Sequence, residues 1–157
     1  MGRIYDAVIE FLKDDSWRYE EISGEPAVRF GFTGRNARFE CFGRANEEHE
    51  IFVFYTVVPV RVPEEQRGLM AELIARINYG LNIGNFELDM DDGEIRYKTS
   101  IDVEGGEFSR RMVETLLSVN ISTTDRYFPS FADVLYAGVK PAEAVNRIER
   151  PEPSSRN

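Results

Sequence analysis

Apolar residues recur at helical spacing over residues 3–13, where Ile4, Val8, Phe11 and Leu12 form one stripe. Asp14-Asp15-Ser16 ends that helix, and Trp17 and Tyr19 open a short strand expected to reach Ile22. Ser23-Gly24-Glu25-Pro26 is turn chemistry. Residues 27–33 then alternate, with Val28, Phe30 and Phe32 on one side and Arg29 and Gly31 on the other. The alternation resumes with Ala37, Phe39 and Cys41 against Arg38, Glu40 and Phe42. A two-residue turn at Gly34-Arg35 predicts Phe32 paired with Ala37, Phe30 with Phe39 and Val28 with Cys41, and sets Arg29 opposite Glu40. Asn46-Glu47-Glu48-His49 is the next turn. The run IFVFYTVV, residues 51–58, is apolar on both faces and reads as a central strand. Pairing across the turn puts Phe54 near Cys41 and Thr56 near Phe39 on the core face. Phe42, Val53, Tyr55 and Val57 then share the reverse face, which needs a cover: a helix of the chain itself or a partner.

Val62-Pro63-Glu64-Glu65 starts a second helix with the stripe Met70, Leu73, Ile74, Ile77 and Leu81, and Gly84 is expected to stop it. Strands over 85–91 and 94–103 flank an Asp92-Gly93 turn. From Glu107 to Tyr136 runs a long helical pattern, Val113, Leu116, Leu117, Ile121, Thr124, Phe128, Phe131 and Leu135. Pro129 inside it lacks an N–H and predicts a kink or break near residues 125–129, and Gly138 ends the helix. Pro141 to Ile148 adds one or two helical turns, and the tail PEPSSRN is expected to be disordered. The order α-β-β-β-β-α-β-β-α with hairpin-length links predicts an α+β two-layer fold. It would hold a mainly antiparallel sheet of about five to six strands with helices packed on it, all in one domain over residues 1–150.

Composition narrows the function classes. The chain of 157 residues carries 28 acids against 19 bases, a formal charge of -9, with no basic run longer than two residues. Nucleic-acid binding and anionic membranes are disfavoured, because both need clustered Lys and Arg. The absence of a long apolar run argues against a membrane span. The acidic amphipathic start argues against a signal peptide, and a single cysteine excludes an internal disulfide, so the expected compartment is the cytoplasm.

Each pattern that suggests chemistry has a plainer reading. The acids Glu87, Asp89, Asp91, Asp92 and Glu94 resemble a metal cluster. A hairpin turning at Asp92-Gly93 sets Asp89 opposite Arg96, Glu87 opposite Lys98, Leu88 opposite Tyr97 and Met90 opposite Ile95, an ordinary ion-paired hairpin. Read as a calcium loop, the stretch puts Leu88, Met90 and Thr99 where carboxylates are needed. Cys41 and His49 are expected ~16 Å apart, too far for a catalytic dyad, with Cys41 in the core. The single histidine leaves no His-based metal site, and the glycines form no phosphate loop. No catalytic, cofactor or metal residue is therefore assigned. Asn120, Ser122, Thr123 and Thr124 in the long helix read first as a crowded helix–sheet contact, and otherwise as a polar groove near Arg126.

Asn78-Tyr79-Gly80-Leu81, Gly84-Asn85-Phe86-Glu87-Leu88-Asp89, Asp92-Gly93-Glu94 with Arg96-Tyr97, and Asp125-Arg126-Tyr127 with Pro129 ahead of Tyr136-Ala137-Gly138 resemble the YbjN-like family of bacterial sensory transduction regulators. The helix at the start, Glu25-Pro26, IFVFYTVVP and Pro63-Glu64-Glu65 fit as well, so the likeness spans roughly residues 4–138. It implies a fold similar to type III secretion chaperones, often dimeric, and a non-enzymatic role in regulation or protein binding, without catalytic residues. Phe42, Val53, Tyr55 and Val57 are the expected partner surface, for an unidentified protein or a second copy. The alternative is a small-ligand sensor or carrier with a pocket between the last helix and the sheet.

Overall fold

The structure, a computed structural model, describes residues 1–150; the tail 151–157, expected to be disordered, lies outside them. Helix α1 (Arg3–Asp14) is followed by β1 (Glu20–Glu21), β2 (Ala27–Thr33), β3 (Arg38–Asn46) and β4 (Ile51–Arg61). A single 3-10 turn at Glu64–Gln66 leads into α2 (Arg67–Tyr79), then β5 (Asn85–Leu88), β6 (Glu94–Asp102), α3 (Arg110–Ala137) and α4 (Pro141–Glu149). The strands form one six-stranded sheet in the order β1-β2-β3-β4-β6-β5, with every neighbouring pair antiparallel. Side chains alternate across a strand, and in β3 and β4 the buried set, Phe39, Cys41, Phe52, Phe54, Thr56 and Val58, faces the helices. This is the expected α+β two-layer class.

Two hydrophobic clusters fill the helix–sheet layer. The first joins Ile4, Val8, Phe11 and Leu12 of α1 to Val28, Phe30, Cys41 and Phe54 of the sheet and to Val113, Leu116, Leu117 and Ile121 of α3. The second joins Met70, Leu73, Ile74 and Ile77 of α2 to Phe86, Ile95 and Tyr97, and to Tyr127, Phe131 and Val134 of α3. Each such large side chain contributes about 1.5–3 kcal/mol when fully buried. Helix α1 lacks a local cap. Its first amides, Ile4 N–H and Tyr5 N–H, donate to the Glu47 carboxylate at 3.1 and 2.7 Å, so the β3–β4 turn closes the helix from outside.

All three hairpin registers differ from expectation by two residues. Phe30 pairs with Cys41 and Phe32 with Phe39, so Arg29 faces Phe42 and Gly31 faces Glu40. Cys41 pairs with Thr56, and Phe54 with Gly43. Glu87 pairs with Arg96, Leu88 with Ile95 and Phe86 with Tyr97. A shift of two keeps every side chain on its expected face, because the pleat repeats every second residue. The connections are longer than two residues: Thr33 pairs with Arg38, and Asp89 N–H donates to Glu94 O at 2.9 Å.

Other boundaries also move. Strand β1 is only two residues long, α2 begins at Arg67 and α3 at Arg110. Helix α2 ends at Tyr79, and Gly84 instead sits at φ +73 in the loop before β5. Of the kink or break expected near residues 125–129, the break does not occur; α3 runs through Pro129 for 28 residues and ends at Gly138 in the left-handed region.

Candidate functional site

Among the described residues all four helices lie over one face of the sheet, and none covers the other. The four residues expected on the reverse face meet there. Tyr55 pairs with Phe42 on one side and with Lys98 on the other. Val53 and Val57 flank it along β4, opposite Arg44 and Glu40 of β3 and Ser100 and Arg96 of β6. Phe42 is 36% exposed, and Val53, Tyr55 and Val57 are half-buried. Among the described residues their cover is the side chains of neighbouring strands. The Arg96 guanidinium stands 4.3 Å from the centroid of the Tyr55 ring, a cation–π contact that leaves one edge of the patch charged.

Glu87 ties that edge together, with Lys98 Nζ at 2.9 Å and an Arg96 nitrogen at 3.4 Å from its carboxylate oxygens. Burial raises its pKa, but the hydrogen bonds and charges of Lys98 and Arg96 outweigh it and hold the carboxyl below its ordinary range. Two further acids of that hairpin are occupied by the turn. Asp89 and Asp92 accept the N–H groups of Asp91 and Glu94, each at 2.8 Å, and Asp92 pairs with Arg61 at 3.0 Å. The ion pair expected between Asp89 and Arg96 is not formed; Arg96 goes to Glu87. Among the described residues no group of three His, Cys, Asp or Glu is placed to hold a metal.

Cys41 is fully buried beside Thr56, with Sγ 3.4 Å from Oγ1, and burial pushes its thiol up to about 12. A thiol so hard to ionise is a core residue. His49 lies exposed in the β3–β4 turn, its N–H on Asn46 Oδ1 at 3.1 Å.

The polar run of α3 divides. Asn120 and Thr124 are fully buried at the helix–sheet contact. The Asn120 amide donates to Phe54 O, Tyr97 O and Thr99 Oγ1 at 3.0, 3.2 and 3.1 Å, across the β4–β6 seam. Ser122 is exposed and lines an open cleft of about 580 Å³ with Arg35, Asp125, Arg126 and Arg147. An adjoining apolar cleft of about 440 Å³ is floored by Trp17, Phe32 and Ile121. The sequence reading missed the connection between these clefts and the β2–β3 turn. Asp125 accepts the N–H groups of Arg35 and Asn36, both at 2.8 Å, and its main-chain carbonyl accepts Asn36 Nδ2 at 2.8 Å. Asp125-Arg126-Tyr127 and Pro129 were visible as a motif, but the turn they hold is 90 residues away.

No curated protein matches the sequence. Among solved structures, the chain is similar to one in the ExsC–ExsE complex, at 13% identity and TM-score 0.56, covering 82% of this chain and 95% of that one. It is also similar to one in the HopA1–SchA chaperone–effector complex, at 14% identity and TM-score 0.53, covering 77% and 90%. YbjN from E. coli aligns at 19% identity and TM-score 0.49, covering 76% and 92%. The first two share the fold of type III secretion chaperones. The profile of the YbjN family, described as "Putative bacterial sensory transduction regulator", matches residues 5–133, and the chain belongs to that family.

Proposed function

We propose that the chain is a non-enzymatic regulatory module of the bacterial cytoplasm that works by holding another protein chain on the open face of its sheet. The observation that carries this reading is the contiguous patch of Phe42, Val53, Tyr55 and Val57 in the middle of the sheet, which no helix covers among the described residues, every helix packing on the other side. Apolar area of this kind gains about 25 cal/mol for each Å² removed from water, and a partner supplies that burial. Arg44, Arg96 and Lys98 around it form the polar rim usual for a protein interface. Two solved chains of the same fold are in complexes with other proteins, which supports a protein ligand. A second copy of this chain is the simplest such ligand, giving a homodimer. No helix is long and apolar enough to cross a membrane among the described residues, which agrees with a module working away from the bilayer. The clefts beside α3 are open troughs, better suited to a side chain of a bound protein than to an enclosed metabolite.

Val53→Glu tests the reading, since the new carboxylate lies opposite Arg44 on a half-exposed strand position and leaves the helix-side core untouched. The expected outcome is a melting temperature within a few degrees of the parent (roughly 1 kcal/mol or less), with loss of the dimer by light scattering or of the proteins captured from native lysate. An unchanged mass together with unchanged capture rejects the open face as the partner surface.

A further inference from the structure

The two edges of the sheet are finished differently. At the β5 edge the Asn78 side chain faces Phe86: Nδ2 donates to Phe86 O at 3.0 Å, and Oδ1 accepts the Phe86 N–H at 2.8 Å. The amide takes the place of a neighbouring strand at Phe86, in the middle of this four-residue edge. At the opposite edge β1 reaches only Arg29 and Val28 of β2. Backbone direction alternates along β2. Ala45 N–H donates to Pro26 O and Gly34 N–H to Ala37 O, so even-numbered residues turn to β3; Ile22 N–H donates to Ala27 O, so odd-numbered residues turn outward. Gly31 and Thr33 therefore present their N–H and C=O groups outward, beyond the end of β1, and among the described residues none of these groups has a partner.

The surroundings of that free half-strand differ on its two faces. On the open face the Arg38 guanidinium lies over Gly31, where a Cβ would come within 2.8 Å of it, and a cleft of about 470 Å³ is lined by Arg18, Arg29, Arg38 and Glu40. On the helix side lies the apolar cleft of Trp17, Phe32 and Ile121. The chain as a whole carries -9, yet Arg18, Arg29, Arg35 and Arg38 gather at this edge. Arg29 is held by Glu20 at 2.7 Å; the other three make no ion pair among the described residues.

We infer that the free half of β2 takes an extended acidic segment of a partner protein as an added strand. The inference rests on the reading of the chain as a protein-binding module but uses a different surface. An added strand satisfies the outward groups of Gly31 and Thr33 and sends alternate side chains to opposite faces. One set meets the arginines and the other enters the Trp17 cleft, so the segment alternates acidic and apolar residues. A second copy of the chain is the poorer occupant, because antiparallel pairing of two free β2 halves brings the arginine cluster at this edge against the same cluster of the other copy.

The test uses the full chain, a fluorescein-labelled peptide of about seven residues alternating Glu and Val, and the same peptide with Lys for Glu. The single tryptophan, Trp17, gives a second signal. Expected results are saturable binding of the acidic peptide with a change in Trp17 emission, and binding of the Lys peptide weaker by at least about tenfold. Thr33→Pro removes one outward N–H at an edge, where proline is tolerated, and is expected to weaken the acidic peptide by at least about tenfold. Val53→Glu is expected to leave peptide binding unchanged, which separates this site from the central patch of Phe42, Val53, Tyr55 and Val57. The inference is overturned by absence of saturable binding, by equal binding of the Lys peptide, by full binding to a folded Thr33→Pro chain, or by a dimer of the parent that Thr33→Pro dissolves.

Discussion

At the scale of single residues, two glycines with nearly the same backbone angle separate conformational strain from packing. Gly93 has φ +79, and a Cβ built on it would lie 2.1 Å from the carbonyl oxygen of Val62. The two backbones are also joined, with Val62 N–H donating to Gly93 O at 2.9 Å. Gly105 has φ +67 and nothing within 4 Å of the corresponding position. Alanine at residue 105 is expected to cost only the left-handed penalty, about 1–2 kcal/mol. At residue 93 a further about 1–3 kcal/mol comes from driving a methyl group into fixed backbone. Urea denaturation of Gly93→Ala and Gly105→Ala checks this; equal losses would mean that the Val62 contact relaxes freely. The Asp92-Gly93 turn was legible as a turn, but its tertiary contact was not, because nothing near Gly93 in the chain announces Val62.

The same cause explains what was and was not legible at the scale of elements. Periodicity alone located the helix stripes and the faces of the strands, since 3.6 and 2 are local properties of the backbone. It therefore also brought Phe42, Val53, Tyr55 and Val57 to one face. It did not locate the strand partners, because register depends on turn length, and turn length here is set from a distance. The β2–β3 turn is held by Asp125, whose carboxylate takes the N–H groups of Arg35 and Asn36. A Cβ on Gly34 would fall 2.4 Å from that carboxylate, so the turn and the helix fit each other closely. The unbroken course of α3 has the same origin. Pro129 leaves the Asp125 carbonyl without its helical donor, and Asn36 Nδ2 supplies one at 2.8 Å. A proline that reads as a breaker thus becomes a docking point for a hairpin. This predicts coupling between the two positions. Asn36→Ala is expected to cost about 1 kcal/mol in the parent and close to nothing in a Pro129→Ala chain, where the new N–H at residue 129 takes over the carbonyl. Simple additivity in the double-mutant cycle would show that Asn36 is not the substitute donor.

For the whole molecule, the question is whether two hydrophobic clusters make two stability units or one. Cluster membership alone suggests two, with α1 and β2 in the first and α2, α4 and β5 in the second. Three features bind them. Helix α3 is a single rod whose Val113–Ile121 half buries into the first cluster and whose Tyr127–Val134 half buries into the second. Strands β4 and β6 carry an unshifted ladder from Ile51↔Asp102 to Val57↔Arg96 through the middle of the sheet. Asn120 bonds across the join, to Phe54 O of the first cluster and Tyr97 O of the second. Removing any of these connections while one half unfolds would strand buried polar groups of the other, so the molecule should lose both halves together. Phe131→Ala tests this from one end. Phe131 is fully buried against Phe86, with ring centroids 5.0 Å apart, and its truncation is expected to cost about 3–5 kcal/mol. Trp17 reports from the first cluster, packed at 5.1 Å on Phe30. If the two halves are one unit, Trp17 fluorescence and far-UV circular dichroism move together to a lower urea midpoint in the variant. If Trp17 keeps its parent midpoint while part of the helical signal melts earlier, the second cluster unfolds on its own. The open sheet face would then rest on a scaffold that holds only half of it in place.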